Sequence, residues 1–193
     1  MGKEKKVSIR KTRTVITYAE LWHASWSLLK NGKDREEGSH YQFMGSLVFS
    51  AFTFEAYLND IGPKSFSEQN WNALERLSPK KKLEVIAEQL GCPVDYGRRP
   101  WSIMKKLFEF RNDIAHGKSD PITETQVVSL DDHEKHLWEF AKPEWEKFVT
   151  GGNAERARED VEQMVKALHE KRGVKGETPF IGGFQDSDIS LLD

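Results

Sequence analysis

The sequence is poor in cysteine, in long apolar runs and in net charge. Cys92 is the single cysteine among 193 residues, so an internal disulfide framework is excluded. No apolar run approaches the roughly 18 residues that a membrane-spanning helix needs, and residues 1–13 lack the apolar stretch of a secretory signal. We therefore expect a cytoplasmic protein without a membrane partner.

The near-zero net charge hides a segregated charge pattern. The chain has 29 basic and 31 acidic residues, a net charge of −2, which argues against a uniformly basic nucleic-acid-binding protein. However, residues 1–13 hold six Lys or Arg against one Glu, a charge of +5, and residues 98–118 hold six against two acids, a charge of +4. Local basic patches are therefore compatible with the small net charge.

Apolar residues recur at helical spacing along most of the chain, which predicts an all-α fold. The expected domain organisation is a flexible basic N-terminal arm at 1–16, a helical domain at 17–172 and a C-terminal tail at 173–193. In the tail, Phe180, Ile181 and Phe184 could dock on the domain, and its acidic residues could fold back over a basic site. The predicted helices span about 17–32, 40–61, 67–77, 78–90, 101–116, 132–141, 143–149 and 153–171.

The most informative segment is 107–118, where an Arg and a His lie five positions apart near the end of an amphipathic helix. Arg111 and His116 are about 140° apart on a helical wheel, whereas Asn112 and His116 stack at i,i+4. A site that needs both Arg111 and His116 is more easily built by bending the helix end at Gly117, or by pairing two copies of the helix across a two-fold axis. This geometry points to a homodimer.

Arg, His and Asn without a metal cluster suit phosphoryl transfer in RNA. Arg111 could bind a phosphate and neutralise charge in the transition state, and His116 could exchange a proton with the 2′-hydroxyl or the leaving oxygen. Asn112 could fix the imidazole tautomer. The alternative is purely structural: His116 would favour the helix C-terminus as a cation, and Arg111 would pair with a carboxylate such as Asp113 or Glu55. Glu55 could equally serve to orient Arg111.

Two further surfaces flank this segment. Met104, Phe108 and Ala115 form an apolar flank beside the face expected to pack in the core, which suits a dimer interface. The surrounding cations, with Tyr96 and Trp101 for stacking, could form an RNA-binding track, or simply a solvated helix face. The candidate RNA-binding residues are Arg98, Arg99, Lys105 and Lys118.

A metal site is not predicted. His133 and His136 form an i,i+3 pair beside Asp131 and Asp132, but a metal needs three or four converging ligands, and Asp also favours helix starts. We expect no metal and no cofactor. Aromatic residues further along the chain are interpreted as core or dimer packing: Trp138, Phe140, Trp145 and Phe148.

The segment Phe110–Lys118 resembles the signature of the HEPN superfamily (higher eukaryote and prokaryote nucleotide-binding domains), in which Arg, often followed by Asn, precedes a His. Two upstream segments, Ser50–Asn59 and Ser78–Glu84, are also similar to bacterial members. The resemblance covers roughly 41–118. Members paired with a nucleotidyltransferase antitoxin often carry a Tyr two places after the His, where this chain has Lys118.

This resemblance implies an antiparallel HEPN-like bundle, here with extra C-terminal helices, that dimerises and cleaves RNA without a metal to leave a 2′,3′-cyclic phosphate. It implies catalytic roles for Arg111 and His116, a supporting role for Asn112, and a defence or toxin–antitoxin setting with an antitoxin or defence-system partner. Glu55 and Asp113 are the other supporting candidates. The alternative is an inactive module that binds RNA, a nucleotide or a protein partner.

Overall fold

The fold is described from a computed structural model that covers residues 6–119, 121–138, 140–173 and 178–192. It is mainly helical, with 61% helix, as the periodicity predicts. Within the described residues, eight helices and one two-stranded sheet follow in the order β1 (Lys6–Arg13), α1 (Thr17–Asp34), α2 (Ser39–Ser65), α3 (Glu68–Leu74), α4 (Pro79–Leu90), α5 (Ile103–His116), α6 (His133–His136), α7 (Glu144–Phe148), α8 (Gly151–Arg172) and β2 (Gln185–Leu192).

Small polar residues bring α1 and α2 close together. Ser25 of α1 donates to the backbone oxygen of Ser46 at 2.9 Å and lies 2.8 Å from the hydroxyl of Ser50, and Ser46 returns a bond to the backbone oxygen of Ser25. All three serines are fully buried. Because each hydroxyl has a partner, this contact avoids the cost of an unpaired buried polar group.

The helix α2 forms the centre of the core, and α8 packs along it. Leu47, Phe54 and Leu58 of α2 are fully buried, as are the apolar residues of α8 such as Met164 and Leu168. The helices α4 and α5 cover other sides of α2 and present their own buried residues to the same cluster. Arg158 extends from α8 to α1, where it donates to the backbone oxygen of Trp22 at 2.8 Å and lies over the Trp22 ring. No helix among the described residues is long and apolar enough to cross a membrane.

Residues 6–13 and 185–192 form a sheet, whereas the sequence predicts an all-α fold with a flexible arm and a C-terminal tail. β1 and β2 pair antiparallel, with Arg10 opposite Asp188 and Ile9 opposite Ile189. Thr14 continues this pairing by donating its backbone N–H to the carbonyl of Phe184 at 2.9 Å. The prediction failed because a strand pairing across the whole chain length leaves no local periodic signal. Lys3, Lys5 and Asp193, which contribute to the predicted charges, lie outside the described residues.

Only part of the predicted tail docking occurs. Phe180 stacks on Trp22, with ring centroids 4.5 Å apart, and packs against the core. Ile181 and Phe184 are exposed. The tail is therefore fixed to α1 by one aromatic residue before it enters β2.

The segment between α5 and α7 is less helical than the sequence predicts. The expected helix 132–141 is reduced to the single turn of α6, and Trp138 and Phe140 are exposed rather than packed in the core. Trp145 and Phe148 do pack against the core as partly buried residues. Four consecutive charged or His residues in α6 provide no apolar face to hold a longer helix.

Candidate functional site

The guanidinium of Arg111 is held on the inner side of α5. It donates to the carboxylate of Glu55 on α2 and, at 2.9 Å, to the side-chain oxygen of Asn112. It also lies near two aromatic rings, 5.5 Å from the centroid of Phe108 and 5.9 Å from that of Phe52. The side chain of Arg111 is 16% exposed and that of Glu55 is 27% exposed. The ion pair is thus partly shielded from water, and its geometry is fixed from several directions.

Two acceptors one turn apart on α2 hold one cation from each neighbouring helix. Glu55 pairs with Arg111 of α5, and Asn59 accepts a hydrogen bond at 2.6 Å from the buried ammonium of Lys82 of α4. The three segments that carry the resemblance therefore meet at this part of α2. Sequence reasoning missed the Asn59–Lys82 bond; the i,i+4 spacing of Glu55 and Asn59 on a mostly apolar helix is the signal that could have found it.

Asn112 and His116 lie on the outer side of α5, and both are exposed. His116 is the last residue of the helix, and Gly117 leaves the helical conformation with φ −53° and ψ 137°. The helix is continuous from Arg111 to His116, so the bend that could have brought these two side chains together within one chain does not occur. Arg111 faces α2, while His116 faces a groove of about 710 Å³ that we call the His116 groove.

The His116 groove collects several of the predicted site residues. Asn112, Asp113, His116 and Lys118 all line it, together with Trp145 and Ile122. Asp113 and Lys118 are exposed. The groove therefore offers an amide, an imidazole, a carboxylate and an ammonium to a ligand that approaches the end of α5.

The apolar flank predicted as a dimer interface is smaller than expected. Met104 is only 3% exposed because it belongs to the core cluster, which leaves little of it for a second chain. Phe108 is half-buried and also contacts Arg111, while Ala115 is exposed. Phe108 and Ala115 remain the candidates for such a contact.

The predicted RNA-binding cations divide into two groups. Lys105, Lys118 and Arg98 are exposed, although Arg98 has Asp95 at 3.6 Å. Arg99 is instead bound to α8, 2.7 Å from Asp160 and 3.0 Å from Glu159. Its hydrogen bonds to these carboxylates raise the pKa of Arg99. Arg99 thus attaches the loop before α5 to α8, and its role in RNA binding stays a prediction.

Two further reactive groups, Cys92 and His133, lie outside both α5 and the His116 groove. Cys92 is buried, and burial raises the pKa of its thiol, so its thiolate is disfavoured as a nucleophile. His133 lies with its Nδ1 at 2.5 Å from the backbone oxygen of Leu130. Across the described part of the chain, no group of three or more His, Cys, Asp or Glu residues could hold a metal ion.

Comparison of the chain with protein-family models, with curated proteins and with solved structures finds no match.

Proposed function

We propose that the protein is a metal-independent endoribonuclease of the HEPN type that acts as a homodimer. The observation that carries the proposal is the arrangement on α5. An exposed His116, one turn after Asn112, lines the same groove as Asn112 and Lys118, and Asn112 in turn accepts a hydrogen bond from a guanidinium paired with Glu55. The similarity of segments 50–59, 78–84 and 110–118 to HEPN proteins supports the same function.

The reaction in this proposal uses the nucleophile that RNA itself contains. The 2′-oxygen attacks the adjacent phosphorus, the bond from phosphorus to the 5′-oxygen breaks, and a 2′,3′-cyclic phosphate and a 5′-hydroxyl are formed. His116 accepts the 2′-hydroxyl proton as a general base, or donates a proton to the 5′-oxygen as a general acid. Arg111 stabilises the charge that develops on the phosphate oxygens.

The direction of the two side chains supports a dimer. Arg111 and His116 of one chain face different sides of a straight helix. A two-fold contact at the C-terminal end of α5, around Ala115, would place His116 of each copy near the other copy's α5. Two His116 residues in one cleft would also supply one general base and one general acid.

The decisive experiment is RNA cleavage in EDTA. We expect the protein to leave a 2′,3′-cyclic phosphate, and we expect His116→Ala to lower the rate by about 100-fold or more, the usual contribution of general acid–base catalysis. Arg111→Lys retains the charge but loses the planar fork, and should also lower the rate. Matched controls are His133→Ala and Arg156→Lys, which change exposed residues outside the His116 groove. The proposal fails if the protein does not cleave RNA, or if His116→Ala cleaves at the unaltered rate.

One observation favours a second candidate, an inactive module that binds RNA or a nucleotide. Glu55 and Asn112 already occupy two of the terminal donors of Arg111, and Glu55 offsets its charge. A phosphate would have to compete with that carboxylate. RNA binding that depends on Lys118, without cleavage under any condition, would favour this candidate over the nuclease.

A further inference from the structure

A second groove, which we call the aromatic groove, lies between the start of α4 and α5. Its volume is about 580 Å³, within the range of sites that bind small organic groups. Trp101 and Met104 line it and are almost fully buried, whereas Tyr96 and Phe108 are partly exposed or half-buried. The groove thus has three aromatic rings in its lining, and Trp101, Met104 and Phe108 belong to the core or pack against it.

The edge of the aromatic groove is basic. Lys80, Lys105 and Lys106 line it and are exposed, against the single carboxylate of Glu109. Lys105 lies 3.9 Å from Glu109, and both side chains are more than half exposed, so this pair is weak. The ammonium of Lys80 lies 5.1 Å from the ring centroid of Tyr96. A ligand that combines a planar apolar group with negative charge matches this arrangement.

Asn112 connects the aromatic groove to the His116 groove, because it lines both. The two grooves follow one another along the outer side of α5, from Trp101 to Lys118. A linear ligand bound at His116 can therefore continue past Asn112 into the aromatic groove.

We propose that the aromatic groove binds a base of single-stranded RNA next to the phosphate held at His116, with Lys80 and Lys105 on the flanking phosphates. This inference rests on the proposed function and names its substrate as an unpaired strand. Aromatic side chains bind bases with little sequence preference, and cations follow the backbone. A base within a duplex is stacked on its neighbours and cannot insert into the groove, so paired RNA would bind only through its phosphates.

The test measures binding of a fluorescein-labelled 2′-O-methyl uridine octamer, which cannot be cleaved because its nucleophile is blocked. We expect Tyr96→Ala to weaken binding by about ten-fold, the loss of one base–aromatic contact, with no change in salt dependence. We expect Lys80→Ala and Lys105→Ala each to reduce the slope of log affinity against log salt by about 0.7, the value for one phosphate contact with a single strand. The control is Lys166→Ala, an exposed lysine on α8 outside both grooves.

An abasic octamer separates base binding from a general disturbance of the fold. If the groove binds a base, Tyr96→Ala has no effect on the affinity for the abasic strand. Lys80→Ala and Lys105→Ala still reduce the salt slope for that strand, because its phosphates remain. Equal affinity of Tyr96→Ala and the unaltered protein for the uridine octamer would overturn the inference, as would a change in dimer mass for Tyr96→Ala, which would identify the groove as a protein contact. If the unaltered protein cleaves RNA and these variants do not change binding, the nuclease proposal is supported and only the base-binding role of the aromatic groove is contradicted. If binding depends on the aromatic groove but no RNA is cleaved, base binding is supported and the nuclease proposal is contradicted.

Discussion

The ion pair between Arg111 and Glu55 contributes to stability as well as to the proposed chemistry. Both side chains are more than two-thirds buried, so removing one leaves a charge poorly solvated. We expect Arg111→Ala to lower the free energy of unfolding by about 1–3 kcal/mol, and Arg156→Ala, an exposed change on α8, by less than about 0.5 kcal/mol. Urea unfolding measures both. If Arg111→Ala and Arg156→Ala have equal effects, Glu55 does not stabilise the folded chain through Arg111.

Asp160 is buried beside Arg99, with its side chain 1% exposed. Burial raises the pKa of Asp160 above its usual 3.8, although the hydrogen bond from Arg99 opposes this shift. The folded state therefore holds the proton more tightly than the unfolded state. The stabilising contribution is full below pH 3.8 and is lost as the pH rises through the folded-state pKa.

Asp160→Asn removes this titration. We expect the difference in free energy of unfolding, Asp160→Asn minus the unaltered chain, to increase as the pH rises from about 3 to 6. Loss of the ion pair with Arg99 adds a constant to this difference and does not change its pH dependence. Urea unfolding at each pH provides the measurement, and Glu159→Gln is the control because its side chain is more than half exposed. A pH-independent difference for Asp160→Asn would show that burial does not perturb this carboxyl.

Residue chemistry and helical spacing predict the direction of the site's side chains on α5, but not their contacts with distant parts of the chain. The wheel placed Arg111 and His116 on different sides of α5, and the structure agrees, because a regular helix fixes that angle. Glu55 was foreseen as a partner of Arg111. The pairing of Arg99 with Asp160, 61 positions later, could not be predicted, since it depends on how α8 crosses the loop before α5.

At the scale of elements, the contact between α2 and α3 depends on Gly62. A Cβ at Gly62 would lie 2.1 Å from atoms of the Trp71 ring, and that ring is held by Phe66 and the core. We expect Gly62→Ala to lower the free energy of unfolding by about 1–3 kcal/mol through overpacking. Gly152 in α8 is the matched control, since nothing lies within 4 Å of its Cβ position.

Gly152→Ala should increase the free energy of unfolding by about 0.5–1 kcal/mol, because alanine loses less conformational entropy in a helix. Thermal unfolding followed by circular dichroism would report opposite shifts for the two variants. Shifts of the same sign would contradict the steric explanation for Gly62.

Elements held by contacts between nearby residues were predicted well, whereas those held by contacts between distant residues were not. Helices α1, α2, α4, α5 and α8 were predicted close to their observed bounds, because capping and i,i+4 patterns are local. The sheet was missed because β1 and β2 are separated by most of the chain. Gly183 is the residue that permits the close approach of the two strands' ends, because a Cβ there would lie 1.5 Å from the backbone oxygen of Thr14.

At the scale of the whole molecule, the segregated charges of the sequence become neighbours in space. In the described part of the tail, Asp186 and Asp188 lie opposite Thr12 and Arg10 in the basic strand β1. The chain therefore partly neutralises its own N-terminal cations, while the cations along α5 stay exposed. If the protein binds RNA as proposed, we expect α5 rather than β1 to make the main contact.

Removal of the acidic charges of β2 tests this self-neutralisation. Asp186→Asn/Asp188→Asn keeps the length of β2 and the docking of Phe180, and it removes two charges from beside Arg10 and its neighbours. We expect tighter binding of single-stranded RNA, with a salt slope steeper by about 0.7 for each cation that becomes available to a phosphate. The control Glu36→Gln/Glu37→Gln makes the same change of net charge between α1 and α2. If both double variants raise the affinity equally, the effect reflects net charge alone, and β2 does not shield β1 from RNA.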